Sequence, residues 1–144
     1  MLFVKKMNPN AILPSRATAG SAGYDLYACL EEPVTVRPGE TEKIPTGIAI
    51  QLDDPGKGAF VFARSGLATK HGLCPANAVG VVDSDYRGEI FVGLHNHSQE
   101  PYTVAPEERI AQLVVLPVVL EELEEVPELQ ETQRGAGGFG STGR

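Results

Sequence analysis

Asn77-Ala78-Val79-Gly80-Val81-Val82-Asp83-Ser84-Asp85-Tyr86-Arg87-Gly88-Glu89-Ile90 sets two kinds of chemistry side by side. Val79, Val81 and Val82 are β-branched, and Ile90-Phe91-Val92 resumes that character. Between them lies Asp-Ser-Asp-Tyr-Arg-Gly, made of residues that bend chains. Two short β runs around a polar, glycine-ended connection predict a hairpin. Its tip gathers two carboxylates, a phenol and a guanidinium, with the Asn77 amide nearby. Such a polar set on a rigid β scaffold is either a loop that carries chemistry or a solvated tip.

Outward from this stretch the β signal repeats. Leu2 to Met7 alternates weakly and reads as an edge or swapped strand, and Asn8 to Ser21 as loop. Gly23 to Cys29 reads as a strand with Tyr24, Leu26 and Ala28 on one face. Val34-Thr35-Val36 and Thr41 to Ile44 bracket the turn Arg37-Pro38-Gly39-Glu40. Ile48 to Leu52 and Ala59 to Ala63 follow, then the return strand Gly88 to His97, Tyr102-Thr103-Val104 and Arg109 to Pro117. Strands at this spacing predict an all-β sandwich or barrel. In the last strand Arg109, Ala111 and Leu113 share one face, and Ile110, Gln112 and Val114 the other. Gln112 is then either hydrogen-bonded in place or faces a site, because an unpaired amide there is costly.

One segment breaks the pattern. In Arg64-Ser65-Gly66-Leu67-Ala68-Thr69-Lys70-His71-Gly72, Ser65 is suited to cap a short helix and Gly72 to end it. Arg64, the Ser65 hydroxyl and the first N–H groups form either a phosphate cradle or an ordinary capped turn. The tail from Arg134 to Gly143 has five glycines and no capacity for a core of its own. It is either a disordered end or an arm closing on a polyanion. In the second case Arg134 supplies charge, Ser141 and Thr142 supply hydroxyls, and Phe139 stacks on a flat ring.

With 144 residues the chain suits one domain. The 16 glycines, 11 prolines and no tryptophan fit a turn-rich β protein. The net charge of -7 is concentrated in the six glutamates between Glu121 and Glu131, which read as a solvated strand face. Outside that run 12 bases stand against 13 acids, so an anion site is possible, while overall acidity argues against nucleic-acid binding. No apolar run approaches a membrane span, and the N-terminus does not read as a signal peptide. Cys29 and Cys74 read as free thiols of a cytoplasmic protein.

Several spellings mislead. Gly135-x-Gly137-x-x-Gly140 has no following helix and no later acid, so it is no dinucleotide fingerprint. His95 and His97 lack a third metal ligand, and Asn96-His97-Ser98 spells a glycosylation sequon without a secretory context.

Taken together, Ala22-Gly23-Tyr24-Asp25-Leu26, Arg64-Ser65-Gly66-Leu67-Ala68, Gly80 to Gly88, Glu108-Arg109-Ile110-Ala111-Gln112-Leu113 and Arg134 to Gly143 resemble the five motifs, in order, of trimeric deoxyuridine triphosphatases (dUTPases). The resemblance covers nearly the whole chain. It implies an all-β, jelly-roll-like distorted β-barrel with one short helix, spanning residues 1–127, and a flexible C-terminal arm, residues 128–144. It also implies a homotrimer with sites shared between subunits, each arm closing a neighbour's site. The implied reaction is dUTP hydrolysis to dUMP and pyrophosphate with Mg2+, which keeps uracil out of DNA and supplies dUMP for thymidylate synthesis.

Residue by residue, the resemblance makes Asp83 the base that activates water at the α-phosphorus. Asp25 is implied to hold Mg2+ through a water. Arg64, Ser65, Gly66, Gln112, Arg134, Ser141 and Thr142 are implied at the phosphates. Asn77 is implied at uracil with Val79 tightening its pocket, Tyr86 under the deoxyribose, and Phe139 stacked on the base. Asp85 and Arg109 are expected in structural ion pairs. Two alternatives remain: a dCTP deaminase-type enzyme, for which Glu89 is the candidate acid, and a non-catalytic dUTP-binding regulator.

Overall fold

A computed structural model describes residues 1–140, so Ser141 and Thr142 lie outside the described residues. Its spine is the long strand near the C-terminus, Arg109–Pro117, which is the eleventh and last among the described residues. In chain order the strands are β1 (Leu2–Lys6), β2 (Tyr24–Tyr27), β3 (Val34–Val36), β4 (Thr41–Pro45), β5 (Ile48–Leu52) and β6 (Lys57–Phe62). Helix α1 (Ser65–His71) follows, then β7 (Leu73–Pro75), β8 (Gly80–Val82), β9 (Phe91–Asn96), β10 (Tyr102–Val104) and β11 (Arg109–Pro117).

The strands form four hydrogen-bonded groups, ordered β2-β11-β6-β8, β4-β9-β7, β1-β5 and β10-β3. They wrap one apolar core in a jelly-roll-like barrel whose hydrogen-bonded ring is not closed. Leu26, Ile44, Ile48, Leu73, Leu94, Ile110 and Leu113 fill that core and are at most 1% exposed. A register shift between Arg109 and Ala111 turns both Ile110 and Ala111 inward. The simple alternation expected of that strand therefore holds only from Ala111 onward. β1 pairs in-chain with β5, Leu2 opposite Leu52 through Lys6 opposite Ile48.

The expected hairpin is not one. β8 pairs with β6, Val82 opposite Ala59, whereas β9 pairs with β4 and β7, Phe91 opposite Pro45. The polar stretch hands the chain from one sheet to the other, anchored by buried Val82 and Ile90. Apolar runs identify strands but not their partners, and a crossing satisfies both runs as well as a hairpin does. The Arg37–Glu40 turn forms, with Glu40 N donating to Arg37 O at 3.0 Å over Gly39 at φ 76°. Its flanking strands also part, to β10 and β9.

Residues 121–131 are not a strand but an exposed, unpaired segment. Leu120, Leu123, Val126 and Leu129 recur every third residue, a period that no sheet face has, and the intervening glutamates repel one another. The sequon asparagine is wholly buried. Asn96 Nδ2 donates to Val36 O (2.9 Å) and Glu100 O (2.8 Å), and its Oδ1 accepts from Ser98 N and Oγ. That side chain ties β9 to β3 and cannot carry a glycan. Among the described residues no helix is long and apolar enough to cross a membrane.

Candidate active site

The sheet crossing between β8 and β9 is a stiff turn. Tyr86 N donates to Asp83 O at 3.1 Å. Arg87 Nη1 reaches back to the carbonyls of Ser84 (2.8 Å) and Tyr86 (3.0 Å). This spends the nearest base on backbone, so Asp85 is exposed and has no ion pair among the described residues, contrary to expectation. The Tyr86 phenol donates to Glu89 O at 3.0 Å. A Cβ at Gly88 would sit 2.3 Å from that phenol oxygen, so any side chain there would push the Tyr86 ring off the Glu89 carbonyl.

Beside this turn lies a cavity of about 280 Å³, lined by Asn77, Gly80, Asp83 and Tyr86, by the β9 side, Glu89 to Gly93, and by Val61 and Pro75. Its approach is strained. Ala78 has φ 62°, closed by Val79 N donating to Asn77 O at 2.7 Å, a three-residue turn that a non-glycine residue rarely adopts. Such strain persists where surrounding structure imposes it, and it gathers at ligand sites. Val79 itself is half-buried and does not line the cavity. The β9 wall was missed by sequence reasoning. The signal was there in the alternation of Phe91, Val92, Gly93 and Leu94, but it reads equally as core.

A second cluster forms where β2, β11 and β6 run side by side. Gln112 stands opposite Asp25 on one flank and Phe62 on the other. Asp25 is gripped from two sides, with Arg64 Nε on Oδ1 at 3.1 Å and Arg109 Nη1 on Oδ2 at 3.3 Å. Gln112 Nε2 donates to Ala63 O at 2.9 Å, which leaves its second amide hydrogen uncommitted by that bond. Ser65 opens α1 rather than capping it. The N-cap is Arg64 in extended conformation (φ -88°, ψ 133°), with no side-chain cap bond. The capping expectation is thus off by one residue, because the extended Arg64 already turns the chain into the helix. Ser65 and Gly66 are exposed, and nothing lies within 4 Å of a Cβ built on Gly66.

The two clusters do not share a cavity: none of Asp25, Arg64, Ser65, Gly66 and Gln112 lines the one beside Tyr86. The arm is a third, separate piece. Arg134 Nε donates to Gly137 O at 2.8 Å, and Phe139 stands fully exposed. His95 and His97 meet edge to face at 4.4 Å between ring centroids, and no group of three metal-ligating side chains occurs among the described residues.

The chain is similar to known proteins along its whole length. The family model described as dUTPase matches residues 9–143. The deoxyuridine 5'-triphosphate nucleotidohydrolase of Desulfitobacterium hafniense is 58% identical over 131 residues, covering 91% of this chain and 87% of that one. The corresponding protein of Chromobacterium violaceum is 54% identical over 132 residues, covering 92% and 88%. Among solved structures, the Staphylococcus bacteriophage 80alpha dUTPase with dUPNHPP superimposes with a TM-score of 0.88 at 28% identity, covering 100% of this chain and 99% of that one. The sheet-crossing turn, the Asp25 cluster and the glycine-rich arm are thus local parts of a likeness that runs end to end, and the chain belongs to the dUTPase family.

Proposed function

We propose that the chain hydrolyses dUTP to dUMP and pyrophosphate, with water attacking the α-phosphorus. The observation that carries this is Asp83 at the rim of a cavity sized for a nucleoside. At about 280 Å³ the cavity falls just under the ~300 Å³ where ordinary small-molecule sites begin, so it suits a nucleoside and leaves the phosphates outside. Asp83 is exposed and takes no structural ion pair among the described residues. It is therefore open to accept a proton from water. Asn77 reads the uracil edge, with Val79 supporting its turn from behind, and Tyr86 packs under the deoxyribose.

The phosphate partners are Arg64, Ser65, Gly66 and Gln112, with Arg134, Ser141, Thr142 and Phe139 brought in on the arm. Charge neutralisation and positioning of this kind make up most of phosphoryl-transfer catalysis. The donor set near Asp25 fits Mg2+ held mainly by the triphosphate. Each Asp25 oxygen already accepts a guanidinium, which leaves lone pairs for a metal-bound water but no dedicated cage. Mg2+ when bound would neutralise phosphate charge, and Asp25 would orient one of its waters.

The site is proposed to be assembled across a homotrimer. In one chain Asp25 and β8 are separated by β11 and β6, three strand spacings or roughly 14 Å. Asp83 lies beyond Val82, which faces Ala59, so it is displaced along the strands as well, and by strand spacing and register the two backbone positions lie roughly 20 Å apart. Groups acting on one phosphate must approach reacting atoms to about 3–3.5 Å. Asp83 of one subunit with Asp25 of another resolves the mismatch, and an arm with a fully exposed Phe139 has its place on a third. A cytoplasmic setting, with free Cys29 and Cys74, belongs to the same proposal.

The deaminase alternative fares worse because the Glu89 carboxylate already accepts Gly47 N–H at 2.8 Å. The test is pyrophosphate release from dUTP, dCTP, dTTP and UTP. Turnover is expected with dUTP alone, falling by roughly 10²–10⁴ in Asp83→Asn while dUTP still binds. Ammonia from dCTP would move the chain to the deaminases, and tight binding without turnover by wild type would make it a regulator.

A further inference from the structure

We infer that Glu89 is a positioning residue that sets the sugar end of the cavity by fastening the sheet-crossing turn to the β4–β5 corner. This rests on the reading that the cavity holds the nucleoside. Glu89 works with both its side chain and its backbone. Its carboxylate accepts Gly47 N–H at 2.8 Å, and its carbonyl accepts the Tyr86 phenol at 3.0 Å.

The receiving corner is rigid. Gly47 has φ 68°, and its carbonyl accepts from Met7 N (2.7 Å) and Asn8 N (3.2 Å). A Cβ there would meet Ala11 Cβ and Cys29 Sγ at 2.8 Å each, so only glycine fits and the N–H points at Glu89 without freedom to turn away. The next residue is fastened independently: Ile90 N donates to Ile48 O (2.9 Å), and Ile90 O accepts from Thr46 Oγ1 (2.6 Å).

This division of labour makes the role specific. Without the Glu89 carboxylate the turn still docks through Ile90, so the fold persists. What loosens is residue 89, whose carbonyl fixes the Tyr86 ring. A half-buried carboxylate receiving a backbone N–H is also a strong, directional tether, and glutamine offers the same acceptor without the charge.

The experiment measures kcat and KM for dUTP and UTP in wild type, Glu89→Ala, Glu89→Gln, Tyr86→Phe and Asn77→Ala, with melting curves. For Glu89→Ala we expect the preference for dUTP over UTP to fall roughly tenfold, the worth of one ordinary hydrogen bond, through KM rather than kcat. Glu89→Gln should restore the wild-type preference. Tyr86→Phe, which removes only the phenolic donor, should reproduce the loss without touching residue 89. The proposal is overturned if Glu89→Ala lowers kcat at unchanged preference, or if Glu89→Gln behaves like Glu89→Ala. If Asn77→Ala leaves the KM for dUTP unchanged, the cavity is not the nucleoside site and both readings fall. If Asn77→Ala raises KM while Glu89→Ala does nothing, only the role of Glu89 falls.

Discussion

A Cβ placed on Gly23 would lie 2.4 Å from Gln112 Oε1 and 3.2 Å from Gln112 Cβ. Gly23 therefore leaves room for the Gln112 amide at the strand position opposite Asp25. The amide cannot swing aside freely, because Nε2 holds Ala63 O. Gly23→Ala is expected to break that bond and destabilise the chain by about 1–2 kcal/mol. Gln112→Ala should remove most of the penalty, so the double variant is less destabilised than the sum of the singles. Thermal melts of the four proteins check this, and strict additivity would show that the two residues do not meet.

How far this could be read from the sequence differs from residue to residue. Most strand identities were legible because β-branched and aromatic runs sit between glycine and proline turns, but β7 at Leu73–Pro75 was not, and the glutamate run that read as a strand face is no strand. Partners were not legible: the Val79–Val82 run and the Ile90–Val92 run look like two arms of a hairpin, yet they join different sheets. Local pattern carries no information on which ladder completes a strand. Gln112 was legible as a polar residue in an apolar strand and Asp25 only through the family resemblance, whereas the grip of Arg64 and Arg109 on Asp25 depends on pairings up to 84 positions apart. Gly47 carries no signal in the sequence, since its tight contacts come from Ala11 and Cys29, which only the fold brings near.

The β4–β5 corner should be intolerant of any side chain. Gly47→Ala combines a positive φ with two contacts at 2.8 Å, and neither is the end of a long side chain that could bend away. The left-handed conformation and the overpacking together should cost about 2–4 kcal/mol. The melting temperature should fall by roughly 5–15 °C. Gly39→Ala is the control. It shares the positive φ (76°) but meets nothing within 4 Å, so it should lose only the smaller conformational part.

Cys29 packs against the same corner, and its thiol is pushed above the ordinary cysteine range, first by burial and then by the nearby Glu89 carboxylate. The sign follows directly. The native state favours the protonated thiol, so this contribution to stability is complete below the usual thiol range and is lost as pH rises through the native value. Alkylation by iodoacetamide, followed at Cys29 in a Cys74→Ser background, should keep rising with pH beyond where a free cysteine levels off. Glu89→Gln removes the second cause and should move that curve to lower pH. A rate that levels off with pH as free cysteine does would contradict the shift.

Sharing of sites between subunits gives the most demanding prediction, because it requires two dead proteins to make a live one. Asp83→Asn retains a complete arm, and a chain truncated after Pro127 retains Asp83. Each alone should be nearly inactive, the first for want of a base and the second for want of Arg134 and Phe139. If Asp83 and the arm at one site come from different subunits, random exchange of the two variants in equal amounts gives about a quarter of sites an intact Asp83 and an intact arm. Activity should therefore climb from near zero to about a quarter of wild type as subunits exchange, and should stay low when the proteins are mixed without exchange. Truncation should leave the melting transition near that of wild type, since the described part of the arm buries no residue and joins no sheet. If each chain closed its own site, Asp83→Asn subunits would lack the base and truncated subunits the arm at every site, and no mixture would recover.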